Sequence, residues 1–453
     1  MNRKYRKRKN YNRTIFLCNC ILGTALVIVM AVHWLPDKAR ELKIRMGVET
    51  ENKNSKEKKA QTENEQKDKA EVKQPPDENP NIRVVLMTNG YKGIAHSKVE
   101  LSSDSGLIIT YGDGTSKEGK ALNVEPKDNM FKKGKIQIRA KKGGVTLNSL
   151  KRGYGTPSYE GTVELYREKK GIVIINELPV ESYLCRVVPS EMSASYELEA
   201  LKAQAVCARS YAIRQMESYG YPKYKAHVND STDYQVYGNS KPAESAKTAV
   251  YETAGETVQY NGKTVPTYYY STSCGTTTNV EAWGTKPSKK NGYLKAVEVK
   301  DEAGDYEKEL PWYRWSAEVS ESEMTESLKK YTKKKIGKIK DVKITKQGPG
   351  DVVLQLKAVG EKGSVTIETE NKIRTALAGN YKIQRQDGSE TNCGALLPSG
   401  FFTIKKKGKS FVIEGGGFGH GIGMSQNGAN EMAKQGKNYK EILKLFYQGV
   451  TIE

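Results

Sequence analysis

The chain has 453 residues, enough for a sizeable core and for more than one structural unit. Its 74 Lys and Arg against 53 Asp and Glu leave a formal charge of +21, which suits an anionic partner: nucleic acid, anionic lipid or an acidic cell-wall polymer. Six cysteines, at 18, 20, 185, 207, 274 and 393, are too scattered for a disulfide framework and show no metal-site spacing.

Residues 1–13 hold Arg3, Lys4, Arg6, Lys7, Arg8, Lys9 and Arg13 and no acid, and read as a cytoplasmic basic tail. The apolar run 14–35 that follows, 22 residues long, is expected to cross the membrane as a single uncleaved signal anchor; a cleaved signal would export the same chain untethered. Residues 36–81 are Lys, Glu, Gln and Asn ending in a Pro-rich stretch. They cannot bury enough apolar area to offset their ordering entropy, and read as a disordered linker. Short alternating runs between 82 and 178 predict a β-rich subdomain, with 162–166 paired to 172–175 across Glu168-Lys-Lys-Gly171.

Val187-Val-Pro-Ser-Glu-Met reads as a strand end followed by a loop that holds Glu191. A long amphipathic helix comes next. At 100° per residue, Leu198, Leu201, Ala205, Val206, Ala208, Ala212, Ile213 and Met216 share one apolar arc, and Lys202 and Arg209 fall inside it. A charge in a buried stripe needs a partner or a wet cleft, so this helix is expected to line a site. Both cations would oppose the raised pKa that a general acid requires. They are therefore assigned to polar substrate groups or to supporting residues rather than to Glu191 itself.

The segment Ser271-Thr-Ser-Cys-Gly offers small hydroxyl donors beside a glycine, among them Ser273. Residues 312–370 look like an insertion: a helix over 321–330 and strands at 342–345, 352–359 and 364–367. Between Glu414 and Ala429, seven of sixteen residues are glycine, and the stretch carries His420, Ser425 and Gln426. The Gly-flanked His420 is read as a donor to substrate, with Ser425 and Gln426 beside it. Without Gly-Lys-Ser/Thr or GxGxxG spacing the stretch is no phosphate loop. Asn438 with Glu441 predicts a capping box for a last helix from Tyr439 to Tyr447. A thiol nucleophile at Cys274 lacks a third, orienting residue, and His227 with Asp230 and Asp233 is thin as a zinc set.

Val188-Pro-Ser-Glu-Met, Glu199-Ala-Leu-Lys-Ala-Gln-Ala, Ala208-Arg-Ser-Tyr and Gly417-Phe-Gly-His-Gly-Ile-Gly-Met-Ser-Gln-Asn-Gly-Ala together resemble the stage II sporulation protein D (SpoIID/LytB domain) family. Weaker similarity runs from about Ile82 to Ile452. The resemblance implies a lytic transglycosylase that cleaves peptidoglycan glycan strands lacking stem peptides during engulfment, in partnership with a cell-wall amidase. It places the catalytic glutamate at Glu191 and the important lysine and arginine at Lys202 and Arg209. Some members bind zinc near the Asp-Ser-Thr segment, but Val228, Asp233 and Tyr234 stand where those members carry Cys, His and Cys. No cofactor is expected, with His227 left as a remote metal candidate.

The expected fold class is therefore α+β: the β-rich subdomain packed with a mixed α/β catalytic core over 179–453, preceded by one transmembrane helix and a disordered tether. The expected partners are glycan strands, an amidase and, through 14–35, the membrane. The rival is a non-catalytic domain that binds glycan and stimulates an amidase. Nucleic-acid binding is set aside because no basic face carries interleaved aromatics and because the chain is expected outside the cytoplasm.

Overall fold

A computed structural model describes residues 79–333 and 336–453. The basic tail, the run 14–35 and the linker up to residue 78 lie outside the described residues; among the described residues no helix is long and apolar enough to cross a membrane. The class is α+β. Eight strands come first: β1 Asn81–Leu86, β2 Val99–Tyr111, β3 Ser116–Val124, β4 Ile136–Ala140, β5 Val145–Leu147, β6 Ser158–Tyr159, β7 Thr162–Glu168 and β8 Gly171–Pro179. With β9 (Val228–Asn229) they form one sheet in the order β6-β5-β2-β4-β7-β8-β1-β9, and β3 pairs with the long β2. The expected hairpin forms, with Tyr166 opposite Val173 and Glu168 opposite Gly171. Its Lys169 and Lys170 are exposed at the turn, as solvated edges should be.

β8 is buried on both faces, as an interior strand covered twice must be. Ile172, Ile174 and Leu178 face the main core, while Val173 and Ile175 join a small second cluster with Val85, Tyr224 and Ala226. Seven helices follow: α1 Val180–Glu191, α2 Leu198–Met216, α3 Glu244–Glu252, α4 Glu321–Thr332, α5 Glu370–Leu377, α6 Gln426–Lys434 and α7 Tyr439–Phe446. α2 is the hub, packed on by α1, α3, α6 and α7. Its central residues, Ala203 to Ala212, are buried all round rather than on one arc, and small alanines let four neighbours come close. Leu198, placed on the arc from the sequence, is instead exposed.

The β-rich part does not stand apart. One apolar core runs from Ile82 in β1 to Val450 near the C-terminus. A second core runs from Trp315 to Ile413, beyond the expected bound at 370: Lys382–Arg385, Phe402–Lys407 and Ser410–Gly415 are strands of its five-stranded sheet. The three expected strands appear as Ile339–Gln347, Val353–Gly360 and Gly363–Glu368. α4 starts on a capping box in which Ser320 Oγ accepts from the Glu323 N–H at 3.2 Å and Glu323 Oε2 accepts from the Ser320 N–H at 3.0 Å. The box expected at Asn438 and Glu441 also forms, and α7 ends at Phe446.

Candidate active site

Glu191 is the last residue of α1, not a loop residue after a strand. Val180, Tyr183, Leu184, Val187 and Val188 have helical spacing and bury one face. The dipeptide Val187-Val188 before Pro189 suggests a strand by propensity, and packing overrides it. The helix stops two residues after Pro189, at Glu191, with Met192 as its C-cap. Glu191 thus stands at the junction of α1 with the short turn that leads into α2.

Its carboxylate Oε1 accepts from the Val236 N–H at 2.7 Å, while Oε2 is buried without a formed hydrogen bond. Burial pushes the carboxyl up to about 7, against the opposing pull of the Val236 N–H and the nearby Tyr269 hydroxyl. No cation contributes to that shift. The residue as a whole keeps partial exposure while its Oε2 is enclosed, and the carboxyl holds its proton near neutrality.

The glycine run meets Glu191 through Gln426. Gln426 Nε2 donates to the Glu191 carbonyl at 3.1 Å and to Gln204 Oε1 of α2 at 3.3 Å. The run itself threads against Tyr268–Thr278: Met424 pairs with Tyr269, and the Thr272 and Phe418 backbones exchange hydrogen bonds of 3.0 and 2.8 Å. At Gly423, with φ +76°, a Cβ would stand 2.1 Å from the Tyr268 carbonyl oxygen, so no other residue fits. Of the two uses foreseen for these glycines, contact with sugar or with backbone, the described structure displays the second.

His420 is not free to donate to a substrate. Its Nδ1 accepts from the Ile422 N–H at 3.1 Å, which leaves Nε2–H to donate to the Tyr269 carbonyl at 3.0 Å. Burial, helped by Arg374, depresses its pKa to about 3, so the ring is neutral. Tyr270 and Trp283 pack at 5.5 and 5.3 Å between ring centroids. The neighbouring Cys274 thiol is pushed up to about 11 by burial, and with His420 already engaged the thiol-nucleophile reading loses its base.

Ser273 and Ser425 are fully buried around a residue the sequence did not single out, Glu307. Glu307 Oε1 accepts from the Ser273 N–H at 2.9 Å and from Ser425 Oγ at 2.7 Å, and Oε2 accepts from Ser273 Oγ. Burial pushes this carboxyl up to about 7 as well. Both of its oxygens are satisfied within the protein, and it has no exposed surface. The two serines therefore hold a carboxylate, not a sugar hydroxyl. Glu307 lies in the charged string Asp305-Tyr-Glu-Lys-Glu309, where nothing in sequence separates one buried acid from its exposed neighbours.

Lys202 and Arg209 have protein partners too. Arg209 donates through Nε and Nη2 to the two oxygens of Glu181 in α1 at 2.7 and 2.8 Å, and to the Val250 and Glu256 carbonyls at 3.0 Å each. It is buried, and its carboxylate partner removes the anomaly of a charge in the stripe. Lys202 lies 2.7 Å from both Glu199 and Glu252, bridging α2 to α3. Neither cation meets the Glu191 carboxylate, as argued from the pKa requirement. Their place is to fix the helices that carry it.

His227 and its neighbours do not fit zinc. His227 Nδ1 accepts from the Arg83 N–H at 3.0 Å and the ring stacks on Tyr219 at 5.1 Å. Asp230 is buried against Arg152, whose Nε lies 3.0 Å away. Among the described residues, no group of three or more His, Cys, Asp and Glu is arranged to hold a metal.

Comparison with known proteins agrees with this layout. Residues 168–260, which hold Glu191, Lys202 and Arg209, match the family described as Stage II sporulation protein. Stage II sporulation protein D of Bacillus subtilis (strain 168) is 31% identical over 336 residues, covering 69% of this chain and 88% of that protein. The chain belongs to the stage II sporulation protein D family. The protein of the same name from Bacillus amyloliquefaciens is 33% identical over 306 residues, 64% of this chain and 78% of that one. A protein of B. subtilis named Amidase enhancer is 32% identical over 292 residues; these cover 59% of this chain but only 39% of that longer protein. Residues 267–423, with Ser273, Glu307 and His420, match a domain of unknown function. The first match thus covers Glu191 and its partner Val236, and the second ends at residue 423, before Gln426.

Proposed function

We propose that this chain is a peptidoglycan lytic transglycosylase of sporulating cells. It would cleave MurNAc–GlcNAc linkages of peptide-free glycan strands during engulfment, held at the outer face of the cell membrane by residues 14–35. The observation that carries the reading is Glu191: a partly exposed residue whose buried Oε2 lacks a formed hydrogen bond, its carboxyl kept protonated near neutral pH by burial and faced by no cation.

The chemistry needs only one such group. The Glu191 carboxyl gives its proton to the glycosidic oxygen as the bond from that oxygen to C1 breaks. The substrate's own N-acetyl oxygen stabilises C1, the task that a second carboxylate performs in most glycosidases. The Glu191 carboxylate then takes the proton of the muramic C6 hydroxyl as O6 closes on C1. The product carries a 1,6-anhydro ring, no water is consumed and the acid is regenerated. Glu307 is no second carboxylate for this step, because the serines enclose it. The surplus of positive charge favours an anionic wall polymer.

The test is mass spectrometry of denuded glycan incubated with the full chain in detergent, looking for 1,6-anhydro ends. Glu191→Gln should lower cleavage at least about 100-fold while leaving thermal stability and glycan binding in place. Near wild-type turnover by that variant would remove Glu191 from the reaction. The second reading, a glycan-binding stimulator of an amidase, is favoured by the likeness to the Amidase enhancer. It predicts glycan binding and faster amidase action with no anhydro product.

A further inference from the structure

The Tyr269 hydroxyl is the side-chain group that favours the ionised form of Glu191. Its orientation follows from a chain of hydrogen bonds with only one consistent direction. The Ala208 carbonyl can only accept, so the amide end of Gln235 facing it is Nε2, and Tyr183 Oη donates to Oε1 at the other end at 3.3 Å. Gln235 Nε2 then donates to the Ala208 carbonyl at 3.2 Å and to Tyr269 Oη at 3.3 Å. A hydroxyl that accepts from an amide sends its own proton elsewhere. The Glu191 carboxyl, the group that the Tyr269 hydroxyl influences, has at Oε2 a buried acceptor without a formed bond. The backbone of Tyr269 is pinned as well, by its pairing with Met424 and by His420 on its carbonyl.

We propose that Tyr269 is a positioning residue for Glu191: its hydroxyl, aimed by Gln235, donates to Oε2 and holds the carboxylate in one orientation between its acid and base steps. This rests on the reading of Glu191 as the acid and base. Catalytic hydrogen bonds of this kind are often long in an empty site and tighten around substrate. The titratable groups that face Glu191 are Tyr183 of α1, Tyr211 of α2 and Tyr269 itself, each with a pKa raised by burial well above the ordinary tyrosine range. All three stay neutral over the working range, so one proton, that of Glu191, sets the pH response.

The test follows the Glu191 carboxyl by 13C NMR in the full chain, assigned by difference from Glu191→Gln, alongside the pH profile of cleavage. Tyr269→Phe removes a donor to the charged form. The titration midpoint should rise by about one pH unit, and the alkaline limb of the rate profile should move up with it. Gln235→Leu, which frees the hydroxyl to turn, should move the midpoint in the same direction by less. An unmoved or lowered midpoint in both variants overturns the assignment even if stability or rate falls, because loss of packing alone would give that. The two readings fail separately. A wild-type chain that makes no anhydro product ends the transglycosylase reading while the midpoint still reports on Tyr269. An active chain with an unmoved midpoint ends only the Tyr269 assignment.

Discussion

Replacing Arg209 by methionine keeps most of the side chain's volume and removes its charge, which separates a structural role from a substrate-binding one. The substitution deletes two charge-assisted bonds to Glu181 and two bonds to the Val250 and Glu256 carbonyls. Each charge-assisted bond contributes about 1.5–3 kcal/mol, and a buried pair broken on one side costs about 3–5 kcal/mol because the other charge stays stranded. At about 1.4 kcal/mol per tenfold, the folding equilibrium should fall by roughly two to three and a half orders of magnitude. Urea denaturation of wild type, Arg209→Met, Glu181→Leu and the double variant measures this. The double variant should recover much of the loss, since no charge is then left without its partner. A single-variant cost below about 1 kcal/mol, together with a large rise in KM for glycan, would refute the argument and return Arg209 to the substrate.

Glu191 and Glu307 both titrate near 7 in the fold against 4.5 ordinarily, so the folded state binds protons that the unfolded chain has shed. The stability this gives is complete below about pH 4.5 and is lost as pH rises through about 7. Each group accounts for about 3 kcal/mol at most, and thermal denaturation at pH 5 and pH 8 should show the fall, flattened in Glu191→Gln. The His420 ring, at about 3, should show no NMR titration between pH 4.5 and 8; a midpoint near 6.5 would contradict its burial. Gly423→Ala forces a Cβ against the Tyr268 carbonyl at positive φ and should cost at least about 2 kcal/mol, read as a lowered Tm with loss of cleavage.

Much of this could be read in the sequence where a pattern has one physical meaning. The β7–β8 hairpin, the Asn438 capping box and the strands of the insertion follow from turn residues and alternation. α1 was missed because β-branched residues before a proline outweighed a helical spacing that was there to be counted. Lys202 and Arg209 were rightly seen as misplaced in an apolar stripe. Their partners Glu181 and Glu252 lie on neighbouring helices, however, and periodicity along one helix says nothing about what another brings to it. His420, Ser273 and Ser425 were picked out as polar groups in unusual surroundings, which they are. Whether such a group faces a ligand or another part of the chain depends on long-range contacts, and these turned inward to Tyr269 and Glu307. Tyr269 itself is one of three consecutive tyrosines, and only the sheet pairing decides which of them reaches the acid.

The bond from Gln426 to the Glu191 carbonyl joins positions 235 residues apart. During synthesis the acid leaves the ribosome long before the wall that closes over it exists. Until residue 426 is made, Glu191 lacks this neighbour. On the proposed function, the order of translation would act as a safeguard: a chain that stops short of residue 426 lacks this contact, so the site would be complete only once that segment has folded onto α1.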